Sequence, residues 1–224
     1  MVEPQWWIAL LLSLNAWMMS SPTLIYWIPK LADIFVFVYP VYLVLLYFWW
    51  MVNGKWIMGN GKWDKLYYKI AAMFIGVSVL ASLIVDLLLQ YVFVKVRPDV
   101  ILWLINNKTE SILHKFLPSS SFPSDHAVVS MSIAMATLAW GVSQKDRRFV
   151  WMSIPLFVFS LIMCFCRVTA AIHWPTDIIA GIFVGIVVPL AMRKQIARSS
   201  HSSQWHDGHK KCLERIFEWV GKKI

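Results

Sequence analysis

Five apolar stretches dominate this 224-residue chain, at approximately 31–52, 68–94, 125–142, 149–167 and 175–192. Each is long enough to cross a bilayer core of about 30 Å as a helix, which takes roughly 20 residues and as few as about 17. In hydrocarbon every backbone N–H and C=O must find a partner within the chain, so such stretches fold as helices. Composition agrees: 59% of the residues are hydrophobic, against about 45–50% in soluble domains. The expected fold is therefore all-α, an integral membrane bundle of about five transmembrane helices. Residues 5–20 add a sixth apolar segment, interrupted by Asn15 and followed by Ser20-Ser21-Pro22. It reads as a helix lying in the interface, with a sixth span as the alternative. Trp49, Trp50, Trp56, Trp63, Trp140, Trp151 and Trp174 sit at the ends of apolar runs, as in an interfacial aromatic belt.

The net charge of +9 lies between the apolar runs. Lys55, Lys62, Lys65 and Lys69 fall in one connection; Lys145, Arg147 and Arg148 fall in another. Arg193, Lys194, Arg198, Lys210, Lys211, Arg215, Lys222 and Lys223 follow the last run. With five alternating spans all three groups share one side, which the positive-inside rule makes cytoplasmic. The 95–124 loop and the 168–174 connection then face outward. The charge reads as a topology signal and an affinity for anionic lipid, not as a nucleic-acid surface. Leu213, Ile216, Phe217, Val220 and Ile224 share a helical face, which suits an amphipathic helix on the inner leaflet. The division is a membrane domain over 1–192 and a basic cytoplasmic tail over 193–224. No cleavable signal peptide is expected, because MVEPQWW lacks a positive n-region. Cys164, Cys166 and Cys212 do not suggest a disulfide framework. His201, His206 and His209 in the tail lack the carboxylates or thiolates of a metal site, and His114 reads as a solvated loop residue.

Three polar islands flank the spans on the outward side. They are Lys95-Val96-Arg97-Pro98, Phe122-Pro123-Ser124-Asp125-His126, and the set Arg167, His173 and Asp177. Charge at membrane depth costs roughly 2.5–3.5 kcal/mol per group on insertion scales, so three such clusters at one level point to a site. Two guanidiniums suit a phosphate. Ser124, opening a helix after Pro123, stands at an N-terminus whose free N–H groups attract anions. His173 and Asp177 are spaced i, i+4, so the carboxylate can orient the imidazole and raise its basicity. His126 supplies a second imidazole, able to protonate a leaving oxygen. Asp86, inside the second span, is an intramembrane acid and so a site candidate, with pairing to a polar group on a neighbouring helix as the alternative.

The order Arg97-Pro98, Pro123-Ser124-Asp125-His126 and Arg167-x5-His173-x3-Asp177 resembles the three-part signature of the type 2 phosphatidic acid phosphatase superfamily, over roughly 68–192. The resemblance implies a phosphohistidine mechanism with no metal and no other cofactor. By it His173 attacks phosphorus, Asp177 holds it, and His126 protonates the departing oxygen. Arg97, Arg167 and Ser124 would bind the phosphoryl oxygens, and Lys95 and Asp125 are further candidates for substrate binding. The family's first motif begins with a Lys seven residues before its Arg; here that position is Gln90, and nearby Lys95 is the candidate replacement. Asp125 stands where many members have Gly, a form similar to the bacterial undecaprenyl-pyrophosphate phosphatases. Cys166 replaces a Ser that often precedes the third-motif Arg.

The leading expectation is hydrolysis of undecaprenyl pyrophosphate to the monophosphate, recycling the carrier lipid for cell-wall synthesis at a bacterial inner membrane. Other lipid phosphates (phosphatidylglycerophosphate, phosphatidic acid, lipid A) are the alternative substrates. A non-enzymatic transporter is the alternative outside the enzymes, although no repeat halves are visible. The expected partners are the lipid phosphate and the bilayer, and no nucleic acid.

Overall fold

In a computed structural model, residues 3–53, 61–98 and 120–200 are described, and the regular structure among them is helical. Helix α1 spans Gln5–Met19, α2 Pro22–Ile34 and α3 Val38–Asn53; a single 3-10 turn, Phe35–Phe37, joins the last two. Helix α4 runs Gly61–Val92, α5 Asp125–Gln144, α6 Arg147–Thr169 and α7 Pro175–Ser200. Five segments are long and apolar enough to cross a membrane: Pro22–Phe48, Tyr67–Val92, Asp125–Gln144, Arg147–Thr169 and Pro175–Arg193. Four match the expected stretches to within about two residues at each end. The first begins at Pro22 rather than near 31. The backbone stays right-handed through Ile34 and Val38, so α2 and α3 run on as one segment. Pro29 is accommodated inside α2, and the Lys30 ammonium lies 3.4 Å from the centre of the Tyr26 ring.

Helix α1 has 15 residues, about 22 Å of length, which is short of a bilayer core. It lies against the α6–α7 connection: Asn15 Nδ2 donates to Thr169 O at 3.1 Å, and Leu11 packs with Ala171 and Trp174. The expected boundary at 192–193 falls inside α7, which continues to Ser200. The amphipathic tail helix, His114, His201, His206, His209 and Cys212 lie outside the described residues.

Helix α5 is the centre of the bundle and packs against α4, α6 and α7. Its buried residues include Ala127, Ser130, Ser132, Ala134 and Ala136, small side chains that let neighbours approach. Hydrogen bonds join the helices where water is absent: Ser130 to Ser160 at 2.7 Å, Ser82 to Ser132 at 3.0 Å and Tyr42 to Thr137 at 3.1 Å. Gly181 and Gly185 of α7 face α5 so closely that added Cβ atoms would meet Ser124 O at 2.7 Å and Met131 Cβ at 2.8 Å. The outer surface carries the large apolar residues. Met73, Val77, Leu80, Ile84 and Leu88 of α4 are exposed at helical spacing, as are Trp151, Ile154, Val158, Leu161 and Phe165 of α6. That arrangement places a lipid-facing stripe outside, while the small and hydroxyl-bearing residues of α5 and larger ones such as Ile133, Trp140 and Phe149 fill the interior.

Candidate active site

One end of the bundle collects the polar islands. Arg167 lies in the last turn of α6. The chain then turns through Ala171, which has a φ of 56°, and Ile172 N–H and His173 N–H both return to Arg167 O. This reversal brings His173 back against the arginine it follows. Helix α7 opens at Pro175, whose fixed φ suits a first helical position. Asp177 is in its first turn and accepts from Trp174 N–H at 2.9 Å, which satisfies a donor left over at the helix start. The close approach permitted by Gly181 places Ser124 N–H 3.2 Å from Asp177 O, joining the starts of α5 and α7.

The two ends of the long 95–124 loop are pinned together at the same level. Ser121 N–H donates to Lys95 O at 2.8 Å, Ser120 Oγ to Phe93 O at 2.8 Å, and Trp174 Nε1 to Val96 O at 2.9 Å. His173 is 1% exposed. Its Nδ1 is 2.9 Å from Ser121 O, an atom that can only accept, so Nδ1 carries the proton and Nε2 presents a lone pair. That lone pair faces Arg167 Nη2 at 3.3 Å. Burial, with the guanidinium charges of Arg167 and Arg97, outweighs the pull of Asp177 and takes the imidazole down to about 4. His173 is neutral at pH 7, the state a nucleophile needs.

Asp177 stands behind the imidazole, with Oδ2 at 3.7 Å from Nδ1. Its nearer partners are Ser121 Oγ at 2.5 Å, Trp174 N–H, and Lys95 Nζ at 2.6 Å. Lys95 also donates to Thr176 Oγ1 at 2.7 Å and pairs with Glu3. His126 Nδ1 lies 3.0 Å from Asp125 Oδ1, which also accepts the His126 backbone N–H. His126 Nε2 therefore faces the site, 4.0 Å from Asp33 Oδ1. Arg167, 1% exposed, donates through Nη1 to Asp33 Oδ1 at 2.8 Å and to Ala32 O at 3.3 Å. Ser124 Oγ and Arg167 Nε are buried without a protein partner. An acceptor with several oxygens, such as a phosphoryl group, fits those two idle atoms.

A family model described as the PAP2 superfamily matches residues 71–200, more than half of the chain. The chain belongs to the PAP2 superfamily. Among curated proteins it is similar to YbjG of Escherichia coli strain K12, provisionally named an undecaprenyl-diphosphatase, with 29% identity over 135 residues. That match covers 59% of this chain and 58% of YbjG. It is also similar to BcrC of Bacillus subtilis strain 168, named an undecaprenyl-diphosphatase, with 27% identity over 119 residues. Here 52% of this chain and 53% of BcrC are covered, so the match spans little more than half of either relative. No solved structure matches significantly.

Of the motif residues of this PAP2 chain, His126, Arg167, His173 and Asp177 converge around one point, with Ser124 at the same helix junction. Arg97 is partly buried and near enough for its charge to act on His173. Lys95, a candidate for substrate binding, is directed instead to Asp177, Glu3 and Thr176. Asp125, another such candidate, is turned to His126. Gln90, at the motif-lysine position, donates to Asp86 Oδ2 at 3.0 Å, while Asp86 Oδ1 is buried with no partner. Cys166 points away from the site into a cluster of Met18, Ile28, Ala32, Ala170 and Ile172, where a small apolar thiol packs better than a hydroxyl. Sequence reasoning missed Ser121, Asp33, Glu3 and Thr176. Ser121 carried a weak signal, two residues ahead of the Pro-Ser-Asp-His run; the others carried none.

Proposed function

We propose that this PAP2 protein is a membrane phosphatase that hydrolyses a polyprenyl pyrophosphate, with undecaprenyl pyrophosphate as its substrate, through a phosphohistidine. The observation that supports it most is His173. The imidazole is neutral, its Nδ1–H is held by Ser121 O with Asp177 behind, and its Nε2 lone pair faces a buried guanidinium. His173 Nε2 attacks the terminal phosphorus while the bond from phosphorus to the bridging oxygen breaks. Protonated His126 gives its proton to that oxygen, which leaves on the lipid monophosphate. Asp177 stabilises the positive charge that develops on the imidazole. Water then attacks the phosphohistidine, neutral His126 takes its proton, and the P–N bond breaks to release inorganic phosphate. Arg167, Arg97, Ser124 Oγ and the N–H groups at the start of α5 bind the phosphoryl oxygens, where preorganised donors are most effective.

The substrate assignment rests on the names of the two relatives, and the placement on the charge pattern of the sequence, of which Lys145, Arg147 and Arg148 lie at the end opposite the site. In a bacterial inner membrane this puts the site outside and the tail in the cytoplasm, where hydrolysis would return carrier lipid to cell-wall synthesis. The test is phosphate release by detergent-purified protein, in EDTA, from undecaprenyl pyrophosphate, phosphatidylglycerophosphate, phosphatidic acid and lipid A. Preference for the polyprenyl pyrophosphate is expected, with His173→Ala lowering turnover by at least about a thousandfold. Preference for a glycerolipid or lipid A would overturn the substrate and keep the chemistry. Turnover by His173→Ala near the unaltered rate, or loss of activity in EDTA restored by Mg²⁺, would overturn the mechanism.

A further inference from the structure

Asp33 stands one residue before the end of α2, and its side chain is 43% exposed while the Arg167 beneath it is 1% exposed. A single oxygen, Oδ1, takes the Arg167 Nη1 donor at 2.8 Å and faces His126 Nε2 at 4.0 Å. The other terminal nitrogen of the same guanidinium faces the His173 lone pair. Asp33 Oδ1 thus lies across Arg167 from the nucleophile and beside the acid. Under the function proposed above, on which this inference rests, a phosphoryl oxygen takes the idle Nε of that same guanidinium and approaches that same imidazole. A carboxylate and a phosphate cannot share them without strong like-charge repulsion.

We infer that Asp33 is an internal stand-in for the phosphoryl group. In the empty site it supplies the counter-charge that a buried guanidinium requires, since an uncompensated one is strongly destabilising. When a phosphoryl group enters, the carboxylate swings away from Arg167, on the side where it is already exposed. When hydrolysis leaves inorganic phosphate behind, Asp33 returns to Arg167 and displaces it. Asp33 is therefore a specificity-setting residue: it lowers affinity for the bare phosphate product, while a lipid substrate keeps the additional binding of its apolar tail.

The test uses the full chain in detergent and radiolabelled inorganic phosphate in equilibrium dialysis at fixed ionic strength, a readout that needs no turnover. Asp33→Asn keeps an oxygen for Arg167 and removes the charge; Asp33→Ser removes the charge with a smaller side chain; Asp33→Glu keeps the charge. Phosphate should bind about tenfold more tightly to whichever of the two neutral variants folds, and within about twofold of the unaltered protein to Asp33→Glu. Inhibition of turnover by phosphate should sharpen in parallel. Unchanged or weaker phosphate binding in the neutral variants overturns the inference and makes Asp33 a fixed structural partner of Arg167. Tighter binding in a protein that turns over none of the lipids would retain the anion competition and overturn the phosphatase reading alone.

Discussion

Ser121 serves the two halves of the histidine–aspartate pair with two different atoms, its carbonyl fixing Nδ1 of His173 and its hydroxyl fixing Oδ2 of Asp177. Ser121→Ala removes the second contact, together with the longer 3.4 Å approach of the same hydroxyl to His173 Nδ1, and keeps the carbonyl. A buried hydrogen bond to a carboxylate contributes about 1.5–3 kcal/mol, so kcat is expected to fall about tenfold or more while KM stays near its original value. A normal kcat in Ser121→Ala would show that Lys95 and Trp174 N–H hold Asp177 unaided. The depressed pKa of His173 has its own consequence. The folded value of about 4 lies below the unfolded value of about 6.5. Between the two the unfolded chain binds the extra proton, so this contribution to stability is whole above pH 6.5 and declines as pH falls toward 4. The ¹⁵N shifts of the His173 ring should stay constant from pH 8 down to about 5.5 and move only below it; a midpoint near 6.5 would contradict the buried neutral state. At this scale the spacing of Arg167, His173 and Asp177 was legible, because one reversal and one helix turn separate them. Asp33 and Glu3 were not, since they reach Arg167 and Lys95 across 134 and 92 residues, a separation that only packing closes.

Helix α7 reaches α5 through Gly181, and the Ser124–Asp177 backbone contact depends on that approach. Gly181→Val puts atoms into Ser124 O and Ala127 Cβ, which overpacks the junction by about 1–3 kcal/mol. Lower thermal stability in detergent and a loss of turnover larger than the stability change are expected, because the same displacement moves Asp177. Gly76→Ala is the contrasting case: its added methyl meets nothing within 4 Å and should leave activity unchanged, with a gain of up to about 1 kcal/mol from helix propensity. Asp146 caps α6 by accepting from Arg148 N–H at 3.0 Å and also receives the Tyr67 hydroxyl. Asp146→Ala should therefore destabilise the protein by about 1–2 kcal/mol at the end far from the site, and scanning calorimetry would register the change without a matching loss of kcat. Element type was readable from apolar run length for all five spans. The start of the first was not, because the helix carries Pro29 in its interior and the ring of Tyr26 takes the Lys30 ammonium, contacts that only the fold supplies.

The bundle as a whole separates three environments: a lipid-facing apolar surface, a packed core in which small and hydroxyl-bearing side chains sit among larger apolar ones, and a charged end that holds the candidate chemistry. The proposed orientation can be read by labelling intact cells after replacing Cys212. Val94→Cys, exposed at the site end, should react with an impermeant maleimide from outside, and Lys145→Cys at the other end should react only after the cells are opened. The reverse pattern would turn the protein over and place the site in the cytoplasm. Membrane class and helix number follow from solvent physics that any 20-residue apolar run obeys, which is why they were legible. The seating of α1 against the α6–α7 connection was not, because it depends on Asn15 finding Thr169 O and on Glu3 finding Lys95. That last pair carries a practical consequence. Lys95 divides its ammonium between Glu3 and Asp177, so whatever displaces Glu3 alters the hold on the carboxylate behind His173. A bulky fusion placed just ahead of Glu3 should therefore slow the proposed turnover even when the bundle is undamaged, and an affinity tag is better carried at the far end.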